Sequence, residues 1–209
     1  HDFVICCGYK GYVIKEFFAD YFLHNSDITF NLQNNQLEIH NNKSEPWKVT
    51  CVDTGLNTMT GGRIKRIQKF IGNESFLMTY GDGVSDVDIT SLLECHRKAR
   101  KTVTLVRPGG RFGALELSES NEIRSFKEKN IDDGGWINGG FMVIEPQIFD
   151  YLDGDSCVFE REPLEALANQ GQLQAYKHYG FWQCMDTMND KNKLEKLLEK
   201  EEAPWKVWD

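Results

Sequence analysis

The run Phe76-Leu77-Met78-Thr79-Tyr80 carries strand-forming residues and stops at Gly81-Asp82-Gly83, a lone carboxylate between two glycines. This stretch constrains the fold more than any other. In open α/β sheets, ligands bind beyond the carboxyl ends of the strands. A carboxylate there, uncrowded by neighbouring side chains, is placed to hold Mg²⁺ against a phosphorylated ligand. Mg²⁺ prefers oxygen donors and takes few of them from protein. The same residues also suit an Asp-Gly turn closing a hairpin, and the run alone leaves both readings open.

The flanking sequence favours a strand–helix alternation. Phe3 to Cys7 reads as a strand, and Gly8 turns it into a segment with Tyr12, Val13, Phe17, Phe18, Tyr21 and Phe22 at helical spacing. Short strands are expected over Ile28 to Leu32 and Leu37 to His40, around an Asn34-Asn35 turn. Val49 to Val52 follows as a strand ending in Asp53-Thr54-Gly55, and Thr60 is positioned to cap a helix whose Ile64, Ile67 and Ile71 share a face. Asp88 caps a further helix running to about Lys101, before a buried strand over Thr102 to Val106.

The middle of the chain is richer in strands: Phe112 to Leu117, Ile123 to Lys127 and Trp136 to Ile144. Glu162 to Gln170 is helical and is stopped by Gly171; strands at Leu173 to Tyr176 and Phe181 to Met185 precede a last helix, where Thr187 and Asp190 form a capping box. This order predicts an α/β fold, a Rossmann-like, mostly parallel mixed sheet flanked by helices with an additional small β layer. Residues 1–209 read as a single domain without repeats or linkers. The chain opens on His1 and enters its first strand almost at once, so an N-terminal segment is expected to be missing.

Composition narrows the class. A net charge of -8 over 209 residues argues against general nucleic-acid binding. It leaves room for a small anionic substrate, since a metal and a few cations can reverse the sign locally. No apolar run approaches the ~20 residues of a membrane span, and no secretory signal precedes the first strand. The six cysteines contain no C-x-x-C pair and sit mostly in apolar segments, which suits reduced thiols in a cytoplasmic protein.

A second carboxylate shares the setting of Asp82. Phe181-Trp182-Gln183-Cys184-Met185 is apolar and strand-like, and Asp186 ends it just before a helix. Asp82 and Asp186 would share one cation if their strands are neighbours; a helix N-cap is the competing role for Asp186. Thr58-Met59-Thr60-Gly61-Gly62-Arg63 is a Gly-rich turn opening a helix, where backbone N–H groups can receive an anion or a base edge. Glu128-Lys129 closes a strand and sets Lys129 to meet a phosphate as a point charge. Asn138-Gly139-Gly140-Phe141 interrupts a strand with two glycines, a bulge or a close approach of ligand to backbone. No G-x-S-x-G, H-E-x-x-H or intact P-loop occurs, and the five histidines form no evident pair. A phosphate oxygen acting as nucleophile needs no such base, being largely ionised at neutral pH.

In this order the pieces resemble the sugar-1-phosphate nucleotidyltransferases. The resemblance spans the chain: Cys6-Cys7-Gly8-Tyr9-Lys10-Gly11, Val52-Asp53-Thr54-Gly55, Thr60-Gly61-Gly62-Arg63, Tyr80-Gly81-Asp82-Gly83, Gly110-Arg111-Phe112-Gly113-Ala114-Leu115, Asn138-Gly139-Gly140-Phe141, Phe181-Trp182-Gln183, Met185-Asp186-Thr187 and Ala203-Pro204-Trp205-Lys206. It implies transfer from CTP to α-D-glucose 1-phosphate, giving CDP-glucose and pyrophosphate, in a route to bacterial surface polysaccharide. Asp82 and Asp186 would carry Mg²⁺, and Lys129, with Glu128 beside it, would hold the sugar phosphate. Gly139 and Gly140 would admit the hexose, while Thr60, Gly61, Gly62 and Gly81 would contact the nucleotide. An assembly of identical chains is also expected.

Three positions depart from the family pattern: Asn130 follows Lys129 where proline is common, and Gly109 and Cys184 also stand where prolines are expected. The family's G-G-x-G-T-R-L loop, which cradles the triphosphate, does not occur in this sequence. Competing classes are a pyrophosphorylase using UTP or dTTP, a non-catalytic nucleotide-sugar-binding module, and a nucleotide-sugar-dependent glycosyltransferase with Asp86-Val87-Asp88 as its metal pair.

Overall fold

The structure, a computed structural model, describes residues 2–101, 114–117, 123–127 and 136–207. Its contacts group the chain into two compact units, His1–Phe70 with Asp153–Cys157, and Ile71–Leu152 with Val158–Asp209.

The first unit runs β1 (Asp2–Cys7), α1 (Gly11–His24), β2 (Ser26–Asn31), β3 (Gln36–Asn42), β4 (Lys48–Asp53), α2 (Thr60–Arg66) and the start of α3 (Gln68–Ile71). β1 and β4 are parallel, in register from Asp2 opposite Lys48 to Cys7 opposite Asp53. Among the described residues no strand pairs with the other edge of β1. The carboxyl ends of the pair are tied together by polar bonds. Cys7 O accepts from Thr54 N and from Thr54 Oγ1, both at 2.8 Å. Arg63 Nη1 then donates to Thr54 Oγ1 at 2.7 Å and to Cys7 O at 3.3 Å. Gly8 makes room for that guanidinium, because a Cβ there would lie 2.6 Å from Nη1. β2 and β3 form the expected hairpin, with Asn35 at φ 55°, a left-handed conformation that asparagine tolerates.

The second unit holds β5 (Phe76–Met78), β6 (Gly83–Ser85), α4 (Ile89–Ala99), β7 (Ala114–Leu117), β8 (Ile123–Lys127), β9 (Met142–Ile144), a 3₁₀ turn (Pro146–Tyr151), α5 (Glu162–Asn169), β10 (Trp182–Cys184) and α6 (Met188–Glu199). Its pairs β5–β9, β6–β10 and β7–β8 are antiparallel. The main core lies here. Met142, Val143 and Ile144 of β9 are buried with Leu92 of α4, Phe149, Phe159, and Leu164 and Leu167 of α5. Burying a side chain of this size contributes roughly 1.5–3 kcal/mol each, so β9 anchors the unit despite its short length.

Several elements differ from the sequence reading for physical reasons. The strand expected over Trp136 to Ile144 is confined to β9, because Gly140 takes φ 81° and its N–H bonds to Asn138 Oδ1 at 2.9 Å. Leu173 to Tyr176 holds a single bridge rather than a strand. Thr60 is the first helical residue of α2, and its N-cap is Met59, without a side-chain cap. A distant backbone segment does that work: Met59 N donates to Asp155 O at 2.8 Å, and Gly61 N and Gly62 N donate to Cys157 O at 2.9 and 3.3 Å. Asp88 and the Thr187–Asp190 capping box take the expected cap positions. Thr102 to Val106, Phe112 and Gly113 lie outside the described residues.

A polar group is carried into the second core. Buried His96 of α4 places Nε2 at 2.8 Å from Glu145 Oε1, and Ser75 Oγ donates to the same oxygen at 2.8 Å. The His96 bond, helped by Ser75, holds the Glu145 carboxyl below its ordinary value near 4.5 against the opposing effect of burial. A depressed carboxyl contributes stability above its unfolded pKa and loses it as pH falls through the folded pKa. Glu145→Gln is therefore expected to flatten the fall in melting temperature as pH drops below about 4.5, read by thermal melts across pH 3–7. Thr187→Ala removes the cap of α6 and is expected to cost about 1 kcal/mol in denaturant unfolding.

Candidate active site

β6 and β10 bring distant parts of the chain together. Gly83 stands opposite Cys184, and Met185 N donates to Asp82 O at 2.8 Å just beyond the ladder. Asp82 therefore enters β6 and Asp186 leaves β10 at the same end of the pair. In an unbroken pleat the two side chains would point to opposite faces. Both residues lie past the last ladder pair, where the chain has left the regular pleat. Thr187, not Asp186, caps α6, so the capping role that competed for Asp186 falls to its neighbour.

The thiol of Cys184 registers this electrostatic environment. It lies 3.5 Å from Asp186 Oδ2, and its pKa is pushed up to about 11. Burial is the largest cause, followed by Asp186, Asp190 and Asp82. Both candidate metal carboxylates thus act on one sulfur, which stays a protonated donor at neutral pH rather than a thiolate. Among the described residues no cluster of three or more His, Cys, Asp and Glu is placed to hold a metal ion. A pair of carboxylates nonetheless fits Mg²⁺, which keeps waters and takes substrate phosphate oxygens in place of a full protein cage.

The glycine motifs divide by environment. Gly81 has open space where a Cβ would stand. Gly140 is held under the Tyr80 ring, which a Cβ would strike, and its positive φ adds a second reason for glycine. The Tyr80 hydroxyl donates to Glu160 Oε1. Gly139 O accepts from Trp182 Nε1 at 2.8 Å, so the Asn138-Gly139-Gly140 loop is joined to both the Tyr80-Gly81-Asp82 turn and β10. In the other unit, Gly61 and Gly62 pack against the 154–157 backbone. A Cβ on Gly61 would meet Cys157 Sγ at 2.6 Å, and one on Gly62 would meet Asp155 Cα at 2.7 Å. Of the N–H groups that this turn was expected to offer a ligand, those of Gly61 and Gly62 already bond to Cys157 O and that of Met59 to Asp155 O. Glu128 and Lys129 lie outside the described residues, as does Arg111.

The carboxylates of Asp86-Val87-Asp88 have structural partners. Asp88 accepts from Ser91 N at 3.0 Å and from Ser91 Oγ at 2.6 Å, while Asp86 Oδ1 lies 2.9 Å from His178 Nε2. Sequence reasoning passed over Tyr80, Glu160, His178 and Trp182 as site-building residues. A Trp before a strand-end carboxylate was visible, but its indole partner, a glycine carbonyl far away in sequence, was not.

No family model matches the chain. A glucose-1-phosphate cytidylyltransferase of Salmonella typhi is 54% identical over 100% of this chain and 82% of its own length. The chain belongs to the sugar-1-phosphate nucleotidyltransferase family. A probable glucose-1-phosphate cytidylyltransferase of Bacillus subtilis is 39% identical over the same shares, 100% and 82%. A crystal structure of UDP-glucose pyrophosphorylase complexed with UDP-glucose superposes with a TM-score of 0.71 at 15% identity, covering 96% of this chain and 81% of that one. That likeness shows the fold, the α/β nucleotide-diphospho-sugar transferase fold of this family. As a member of the family the chain is a nucleotidyltransferase.

The packing of Gly61 makes a prediction separable from catalysis. Gly61→Ala is expected to destabilise the protein by roughly 1–3 kcal/mol through overpacking against the Cys157 backbone, measured as a shift in denaturant midpoint. An unchanged midpoint would show that the 154–157 segment yields at no cost.

Proposed function

We propose that this nucleotidyltransferase moves a cytidylyl group from CTP to α-D-glucose 1-phosphate, releasing pyrophosphate and forming CDP-glucose. The reading is supported by Asp82 and Asp186 standing at the same end of β6–β10, in a chain 54% identical to a glucose-1-phosphate cytidylyltransferase. A phosphate oxygen of the sugar phosphate attacks the α-phosphorus of CTP. A new P–O bond forms as the bond to the β-phosphate oxygen breaks, and the electron pair leaves with pyrophosphate. The nucleophile is already ionised near neutral pH, so no side-chain base is required.

Asp82 and Asp186 would hold Mg²⁺, which when bound supplies charge neutralisation on the phosphates. Lys129, with Glu128 beside it, would hold the sugar phosphate as a point charge. Gly139 and Gly140 would border the hexose, and Gly81, with open space above it, would admit the nucleotide. Thr60, Gly61 and Gly62 are assigned to the nucleotide by resemblance. Because Gly61 N and Gly62 N are bonded to Cys157 O, contact there would run through other atoms of the turn. The product would feed surface-polysaccharide synthesis from the cytoplasm, the working form being an assembly of identical chains. The structural partners of Asp86 and Asp88 weigh against the glycosyltransferase reading.

The test is a coupled pyrophosphate-release assay across CTP, UTP and dTTP, with glucose 1-phosphate and Mg²⁺. Rates highest with CTP are expected, and absence of pyrophosphate with every nucleotide would overturn the reading. Asp82→Asn should keep the fold and lose several kcal/mol of transition-state stabilisation, on the order of a hundredfold or more in kcat. Lys129→Ala is expected to raise KM for glucose 1-phosphate well above any change in KM for CTP. Equal effects on the two substrates would exclude a dedicated sugar-phosphate role.

A further inference from the structure

A buried polar cluster lies at the opposite end of the β6–β10 ladder from Asp82 and Asp186, and the proposed chemistry does not use it. The His178 side chain is only 9% exposed. Its Nε2 lies 3.1 Å from Phe181 O, 3.3 Å from Ser85 Oγ and 2.9 Å from Asp86 Oδ1. A carbonyl oxygen can only accept, so Nε2 is the donor to Phe181 O. The same carbonyl accepts from Ser85 Oγ at 2.8 Å and from Asp86 N at 3.2 Å. Asp86 Oδ1 is buried, and the imidazole Nε2 at 2.9 Å is the polar group facing it. Gly180 permits the approach, because a Cβ there would strike Asp86 Oδ1 and lie 2.8 Å from His178 Cε1.

The ladder between this cluster and the carboxylates is very short: Trp182 opposite Ser85, Gln183 opposite Val84, and Cys184 opposite Gly83. A one-residue slip in an antiparallel pair sends every side chain to the other face. So few pairs hold their own register weakly. The cluster fastens one end of the ladder, and the Met185 N to Asp82 O bond fastens the other.

We propose that His178 and Asp86 are positioning residues for the Asp82–Asp186 pair, fixing the β6–β10 register that sets where the two carboxylates stand. The proposal rests on the reading of those carboxylates as cation ligands. They act as the outer partners of a metal site do, holding the ligands in place without touching the ion.

Tb³⁺ is a suitable probe. It seeks oxygen donors, and its luminescence is sensitised by nearby tryptophan, here Trp182 of β10. Wild type is expected to bind Tb³⁺ in competition with Mg²⁺, and Asp82→Asn to weaken that binding. In His178→Ala and Asp86→Asn the half-saturating Tb³⁺ concentration should rise by about tenfold or more, with circular dichroism reporting the fold. His178→Gln keeps an N–H able to reach Phe181 O and should recover most of the affinity. A merely structural role would lower the melting temperature and leave Tb³⁺ affinity unchanged. Should His178→Ala fail to fold, the near-isosteric Asp86→Asn and the His178→Gln rescue carry the comparison. A Tb³⁺ signal indifferent to Asp82→Asn overturns the cation reading and this proposal with it. A signal weakened by Asp82→Asn yet unchanged in folded His178→Ala or Asp86→Asn overturns this proposal alone.

Discussion

The short antiparallel contact between β6 and β10 is the constraint on which the candidate site depends. It joins Asp82 to Asp186 across a long separation in sequence, through only a few ladder pairs and the Met185 N to Asp82 O bond. A contact this brief cannot derive its geometry from ladder hydrogen bonds alone, each worth about 0.5–1.5 kcal/mol net. Its surroundings supply the rest. Trp182 reaches from β10 to the carbonyl of Gly139, Tyr80 lies over Gly140, and His178 and Ser85 converge on Phe181 O. Glycines sit where those side chains need space, at Gly140 and Gly180.

The two units solve their packing differently. The second has an aliphatic and aromatic core around β9, with Met142, Ile144, Phe149 and Phe159 almost wholly removed from water. In the first, the described buried residues are fewer, and polar bonds carry much of the organisation. Thr54 and Arg63 knit the carboxyl ends of β1 and β4, and Arg66 forms a two-pronged pair with Asp155, its Nε 2.8 Å from Oδ1. The Arg66 guanidinium holds the Asp155 carboxyl below its ordinary range. The start of α2 belongs to the same scheme. Its donors bond to backbone carbonyls of the returning 153–157 segment, which explains why glycines stand there and why no side-chain cap is present.

Cys184 illustrates how site chemistry depends on placement. Where relatives were expected to have proline, this chain puts a thiol beside Asp186 and within the fields of Asp190 and Asp82. Burial and those carboxylates keep it protonated, so it acts as a weak donor to Asp186. A thiolate at that point would have put a soft donor beside two hard carboxylate oxygens.

Local physics made much of the fold legible in the sequence. Helical spacing of aromatics gave α1, Asn34-Asn35 gave the β2–β3 turn, and Asp88 and Thr187 marked two helix starts, because caps and turns are decided within a few residues. The two strand-end carboxylates were legible for the same reason. Their relation was legible only as a condition on the two strands being neighbours and through the family resemblance, since pairing between distant strands is written in no local pattern. Tertiary structure alone decided that Gly140 serves a tyrosine ring and that Gly61 and Gly62 serve a returning backbone. It also decided that Asp86 faces a buried histidine. Each of these depends on which group arrives from elsewhere to meet a polar atom or fill a space, and only the folded chain brings those groups together.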